Sequence, residues 1–189
     1  MISTRKKIVV IADQLIRSSG YNAFSYADIG SILKIKNAAI HYHFPTKAAL
    51  GKAVIEETRD KFKHGTDLWA ELSINDQLYA FFDLYKKNEK NNCICFMGAL
   101  GSDYNSLPAE MQEELKIAHD EISAWLTNIF TLGKENGHFN FKETPESMTN
   151  FVTSALLATL ILQRVSTQHS MKKMCETLLN RIAKKNSYE

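Results

Sequence analysis

The chain is short of the residues that break helices. It has 3 prolines and 8 glycines among 189 residues, which argues against a turn-rich, sheet-rich fold. Cysteine is also scarce: Cys93, Cys95 and Cys175 are an odd set that excludes a framework of paired disulfides and suits the reduced thiols of a cytoplasmic protein. No apolar run approaches the roughly 18 residues of a membrane span. The longest, FVTSALLATLILQ at 151–163, is interrupted by polar side chains. Nothing at the N-terminus reads as an export signal, because the run IVVIADQLI is short and broken by Asp13. A Gly-rich phosphate loop, a nucleophile elbow and an HExxH pattern are all missing. The six histidines are scattered, so the sequence predicts no enzyme, no metal and no cofactor.

What is present is an ordinary globular composition, 44% apolar and 23% charged, in a chain long enough for a sizeable core. The net charge of +2 hides an asymmetry. Residues 1–64 hold 11 Lys and Arg against 5 acids, a local +6, and the remainder is −4. A basic end on a slightly acidic body suits a protein that offers one end to a polyanion. A basic end docking an acidic protein, as a helical scaffold does, is the alternative that charge alone leaves open.

Periodicity is helical throughout. Ile8, Ile11, Ala12, Leu15 and Ile16 repeat at three and four over 3–19, and Gly20 stands where a left-handed cap belongs. Ser25 and Asp28 start a second helix by a capping box, running to Leu33 with Ile29, Ile32 and Leu33 turned inward. Lys34–Asn37 forms a turn. A short helix follows at 38–44, AAIHYHF, stopped by Pro45. Thr46 caps a helix over 47–68. Further helices are expected over 75–87, 93–104, 108–135, 145–166 and 170–185. The helix at 145–166 is apolar around much of its circumference and must be deeply buried or covered by a partner.

Two short helices with a tight connection at the basic end define a helix-turn-helix. Ile40 and Phe44 fill the inward positions of the second, leaving Tyr42 to reach DNA. His43 is a candidate contact or a ring packed on the next helix. Lys47 is a candidate phosphate partner, and Lys36, Asn37 and Ala38 lie at the helix entrance, where base edges and phosphates are met. Thr4 and Ser25 are candidate phosphate donors, with a capping role as the alternative for Ser25. His41 and His43 are no metal pair, since residues two apart on a helix do not face each other.

Over residues 4–55 the chain resembles the tetracycline-repressor (TetR) family of bacterial transcriptional regulators. Gly20-Tyr21, Phe24-Ser25, Asp28-Ile29 and above all IHYHFPTKAAL at 40–50 carry the resemblance. It implies an all-α fold of about nine helices and a homodimer. A helix-turn-helix domain at 1–46 would precede a helical ligand-binding and dimerisation domain at 47–189. It also implies a palindromic double-stranded DNA operator and a small-molecule inducer that releases a repressor. The family pattern has glycine where this chain has Lys34, a small hydroxyl residue where it has Lys36, and commonly an aromatic hydroxyl where it has His41, which the resemblance makes a phosphate-contact position. If position 34 needs a left-handed backbone, losing the glycine costs about 1 kcal/mol. Asn37 offers itself as a substitute cap, which would start the helix one residue later.

In the remaining two thirds, aromatic walls and a few polar groups are candidates for a ligand pocket: His64, Phe82, Tyr85, Phe96, Met97, Leu100, His119, Ile122, Trp125 and Thr153. His119, between Leu115 and Ile122, is expected to face inward. Phe151, Ala155, Leu162, Met171, Met174 and Leu178 are candidates for a four-helix bundle across a twofold axis. Cys93 and Cys95 are read as small buried side chains or, alternatively, as thiols sensing oxidants or electrophiles. Lys86, Lys87 and Lys90 would lower the pKa of such thiols.

Overall fold

The computed structural model describes residues 2–166 and 168–183. These form nine α-helices: α1 (Thr4–Ser19), α2 (Tyr26–Leu33), α3 (Asn37–His43), α4 (Lys47–Trp69), α5 (Ile74–Lys90), α6 (Phe96–Gly101), α7 (Ala109–Glu135), α8 (Pro145–Leu162) and α9 (Met171–Ile182). Among the described residues there is no β-strand beyond one isolated antiparallel bridge, Phe139 to Ala183. The fold is all-α, and no described helix is long and apolar enough to cross a membrane. The expected end of the last helix, at Lys184–Lys185, lies outside the described residues.

The helix ends follow local chemistry. The Ser3 hydroxyl accepts from the Lys6 N–H at the start of α1. The Asp28 carboxylate accepts from both the N–H and the hydroxyl of Ser25 at the start of α2, each at 2.7 Å. These bonds hold the Asp28 carboxyl below its usual range. Thr46 caps α4 by accepting from the Ala49 N–H, and Thr144 caps α8 with Pro145 in the first turn. Gly20 ends α1, donating its N–H to the Ile16 carbonyl. Its angles, φ 104° and ψ 156°, are not the left-handed cap expected but a region open essentially to glycine alone.

The described residues pack into two compact units, those up to 63 with 93–119, and those of 64–92 with the ones from 120 onward. They are drawn differently from a division at 46/47, because α4 and α7 each pass through both. In the first unit Ile8, Val9, Ala12 and Ile16 of α1 meet a core that includes Ile29, Ile40, Phe44, Leu50, Val54 and Ile55. In the second, Leu78, Phe81 and Phe82 of α5, Leu126 and Phe130 of α7, Val152, Leu156 and Leu160 of α8, and Met171, Cys175, Leu178 and Ile182 of α9 are buried.

Burial of Met171 and Leu178 corrects one expectation. The apolar stripe of α9 faces its own protomer, against α5 and α8, and is not available to a second chain. Met174 is half-buried. The uncovered apolar face belongs to α8: Phe151, Ala158, Ile161 and Leu162 are exposed, Ala155 is half-buried, and Val165 beyond the helix is 82% exposed.

Candidate nucleic-acid interface

The helix-turn-helix is built by α2, α3 and the turn between them. Buried Tyr26, Ile29 and Gly30 place the inner face of α2, with Leu33 half-buried. Ile32 falls to the side of that stripe and is exposed, contrary to the periodicity reading. Gly30 is the close-approach position, which the sequence pattern did not single out. A Cβ there would stand 2.8 Å from the Ile35 carbonyl oxygen and 3.1 Å from Asn37 Oδ1. The Ile35 N–H donates to the Gly30 carbonyl at 3.0 Å, so the clashing atom is fixed backbone. Gly30→Ala is expected to lower stability by about 1–3 kcal/mol, read as a fall in thermal midpoint together with weakened DNA binding.

Lys34 ends α2 with φ 55° and ψ 43°, the left-handed conformation that the missing glycine would have taken. An L-residue there is disfavoured by roughly 1–2 kcal/mol, and glycine's greater freedom in the unfolded chain returns part of it. Lys34→Gly should therefore raise the unfolding free energy by about 1 kcal/mol, measurable by denaturant titration.

The short helix α3 begins at Asn37, one residue earlier than the sequence suggested. Lys36, not Asn37, occupies its N-cap position, without a side-chain bond. Asn37 is instead the first helical residue and packs its Oδ1 near Gly30. At the other end the Tyr26 hydroxyl donates to the Phe44 carbonyl at 2.8 Å in a buried contact. Burial raises the pKa of this phenol to about 12, so it remains a donor. Ile40 and Phe44 are buried beneath α3, and Tyr42 on the opposite side is 84% exposed. Lys36, Asn37, Ala38 and His41 are exposed with it. His41 lies edge-on to the Tyr26 ring at 4.7 Å. The His43 ring is half-buried and meets the Tyr42 ring at 5.2 Å. Thr4, in the first turn of α1, and Ser25 are also exposed.

Ion pairs sort the basic end. Lys6 and Lys61 share Glu57, Arg17 takes Asp13, and Lys52 and Arg59 share Glu114. Around the helix-turn-helix, Lys34 and Lys36 have no acidic partner within ion-pair distance among the described residues, and Arg5 lies over the Phe44 ring at 4.9 Å. Lys34 and Lys36 thus stand without a carboxylate partner in the turn that leads into α3.

Lys47 takes a different place from the one expected of a phosphate contact. Its ammonium donates to the Phe24 carbonyl and lies 4.3 Å from the Phe24 ring centroid and 4.8 Å from that of Tyr21. Burial lowers its pKa, with Asp28 and Asp103 opposing that shift.

The other candidates are dispersed. Phe96, Met97, Leu100 and His119 belong to the first compact unit, and His64, Phe82, Tyr85, Ile122, Trp125 and Thr153 to the second. His119 is exposed, since Ala118 takes the inward position beside it on α7. His64 is exposed as well. Within the second unit Trp125 packs against Trp69 and Phe81, each at 5.7 Å, and Tyr85 against Phe81 at 5.5 Å. Thr153 is occupied in bonding the Thr149 carbonyl.

Cys93 and Cys95 precede α6 rather than riding on it, and both are buried thiols outside any disulfide. Burial pushes the Cys95 thiol up, against a smaller opposing effect of Arg17. Lys86 acts on Cys175, where burial still raises the thiol to about 11. At Cys95 and Cys175 burial thus disfavours the thiolate that a sensor needs.

A short outward-facing helix on a tight left-handed turn, flanked by unopposed lysines, defines a helix-turn-helix DNA-binding protein. Residues 8–54 match the profile of the bacterial regulatory proteins of the tetR family. Over 96% of its length the chain is similar to a TetR transcriptional regulator from Legionella pneumophila, at 29% identity and a TM-score of 0.85, covering 98% of that chain. Over 95% it is similar to a TetR-family regulator from Agrobacterium tumefaciens, at 25% identity and a TM-score of 0.87, covering 97% of that chain. It also shares the fold of reduced NemR from E. coli, at 17% identity and a TM-score of 0.78, with 97% of this chain and all of that one covered. No curated protein matches. Residues 8–54 thus carry the DNA-binding segment of that family, and the whole chain has the fold of its transcriptional regulators. Such proteins are regulators rather than enzymes.

Proposed function

We propose that the protein is a homodimeric repressor of a palindromic operator, released from DNA by a small-molecule inducer. The observation that carries this reading is Tyr42, a large aromatic left 84% exposed at the outer face of α3 while Ile40 and Phe44 anchor the helix from beneath. An exposed ring costs solubility and contributes nothing to the core, so a use at a surface explains it better than packing does. Lys36, Asn37 and Ala38 at the entrance of α3, with His41, Tyr42 and His43, supply contacts to bases and phosphates. Thr4 supplies a further phosphate donor, whereas the Ser25 hydroxyl is committed to the capping bond with Asp28.

The exposed face of α8, from Phe151 to Leu162, supports pairing about a twofold axis. Two copies of α3 then meet successive major grooves about 34 Å apart. The helical remainder, 47–189, would take the inducer, and α4, which begins beside α3, is the lever. An inducer that favours one of two dimer spacings by about 1–3 kcal/mol is enough for a usable switch. Selection of bound duplexes from a random pool tests the reading. A palindrome whose half-sites lie one helical turn apart supports it. A pool that stays random after repeated rounds removes it.

A further inference from the structure

Lys47, at the edge of the helix-turn-helix, turns its charge into the fold. Its neighbours come from three places. The Phe24 carbonyl and ring and the Tyr21 ring belong to the connection between α1 and α2. Asp28 lies in the first turn of α2. Asp103 lies in the connection between α6 and α7. Both carboxylates attract the ammonium. Lys47 itself is the first residue of α4. The same two connections touch again nearby, where Asn22 Nδ2 donates to Ser106 Oγ at 3.1 Å.

A lysine with a carbonyl as acceptor, two ring faces and two carboxylates is already solvated by the protein. To reach a phosphate it would have to give up that bond and both ring faces. Lys34 and Lys36 need give up no acid partner.

We propose that Lys47 is a positioning residue. It fastens the connection between α1 and α2 to the start of α4, so that α2 and α3 present their outer face in one fixed orientation, and it makes no contact with DNA phosphate. This assignment rests on the reading of α3 as the DNA-facing helix.

The test compares salt dependence. The wild-type protein is first titrated with the duplex it selects, and with a scrambled one, over a range of salt concentrations. A steep slope and a preference for the selected duplex are required of the wild type. Their absence sinks the DNA reading itself, before any variant is made. Lys47→Met keeps the apolar stem and removes the charge. The expected result is a loss of operator affinity of roughly tenfold at every salt concentration, with a reduced preference over the scrambled duplex and a slope parallel to wild type. A lysine bound to phosphate predicts otherwise: the slope shrinks by about 0.9 for each phosphate left without its cation, in both copies, and that result overturns the proposal. So does wild-type affinity well below the thermal midpoint, which would leave Lys47 only a part in stability. Should Lys47→Met fail to fold, Phe24→Leu decides, because it leaves every cation in place and removes a ring beneath the ammonium. Weakened operator binding with an unchanged slope is expected of it; wild-type affinity in that variant contradicts the positioning role.

Discussion

A chain carrying Phe151→Glu together with Leu162→Glu is expected to run as a monomer and to lose operator affinity by a factor of at least about 100. Both side chains are exposed on α8 of the isolated protomer, so the substitutions open no cavity and leave the fold's own core intact. In a dimer they would bring like charges together across the twofold axis, in an apolar contact where unpaired carboxylates are strongly disfavoured. The large effect comes from the loss of bivalency. One helix-turn-helix meets one half-site, and the second is no longer held at high effective concentration. Light scattering gives the mass, and fluorescence anisotropy gives the affinity. A dimer that persists, or a monomer that binds as tightly as wild type, contradicts the assignment of α8. Met171→Glu and Leu178→Glu serve as a contrast, because those residues are buried in the protomer. They should unfold the chain rather than dissociate it.

Tyr42→Ala should weaken operator binding by about 1–3 kcal/mol for each half-site, a tenfold to hundredfold loss, with no fall in thermal midpoint. The separation of the two readouts follows from geometry. The ring is 84% exposed and lies edge-on to His43 at 5.2 Å. Removing it therefore costs the free protein almost nothing. Tyr42→Phe then distinguishes the hydroxyl from the ring. If the hydroxyl bonds a phosphate or base, Phe falls part of the way to Ala; if the ring alone packs in the groove, Phe matches wild type. Unchanged binding in Tyr42→Ala would remove the central observation from the functional reading.

The sequence made the helix-turn-helix legible because the signals there are local. A capping Ser25–Asp28 pair, a turn, a seven-residue helix and a stop at Pro45 all act within a few positions of one another. Inward Ile40 and Phe44 could be told from outward Tyr42 by helical spacing alone, and the strained turn at Lys34 by the absence of glycine. The misreadings have a different character. The stripe of Met171, Met174, Leu178 and Ile182 shows roughly which side of α9 is apolar, but not whether its own chain or a second one covers it. Lys47 has a long, flexible stem, and sequence cannot tell where such a side chain ends. Asn37 is a good cap in isolation, yet the approach of the turn to Gly30 fixes where α3 begins. A lone glycine inside a helix was the available signal for that approach, and only the position of the Ile35 carbonyl gives it meaning. For the ligand site, aromatic residues at helical spacing are the signature of a core as much as of a pocket. His119 illustrates the limit, since one step along α7 from Ala118 turns it outward.

The central claim is that α3, with Tyr42 at its surface and unopposed lysines beside it, reads a DNA half-site as one of a symmetric pair. Its most direct measurement is the stoichiometry and salt dependence of binding to the selected duplex, against the same duplex with one half-site scrambled. Two chains per intact duplex, affinity that falls steeply with salt, and a large loss when either half is scrambled are the expected results. One chain per duplex, or equal affinity for intact and half-scrambled DNA, would contradict that claim.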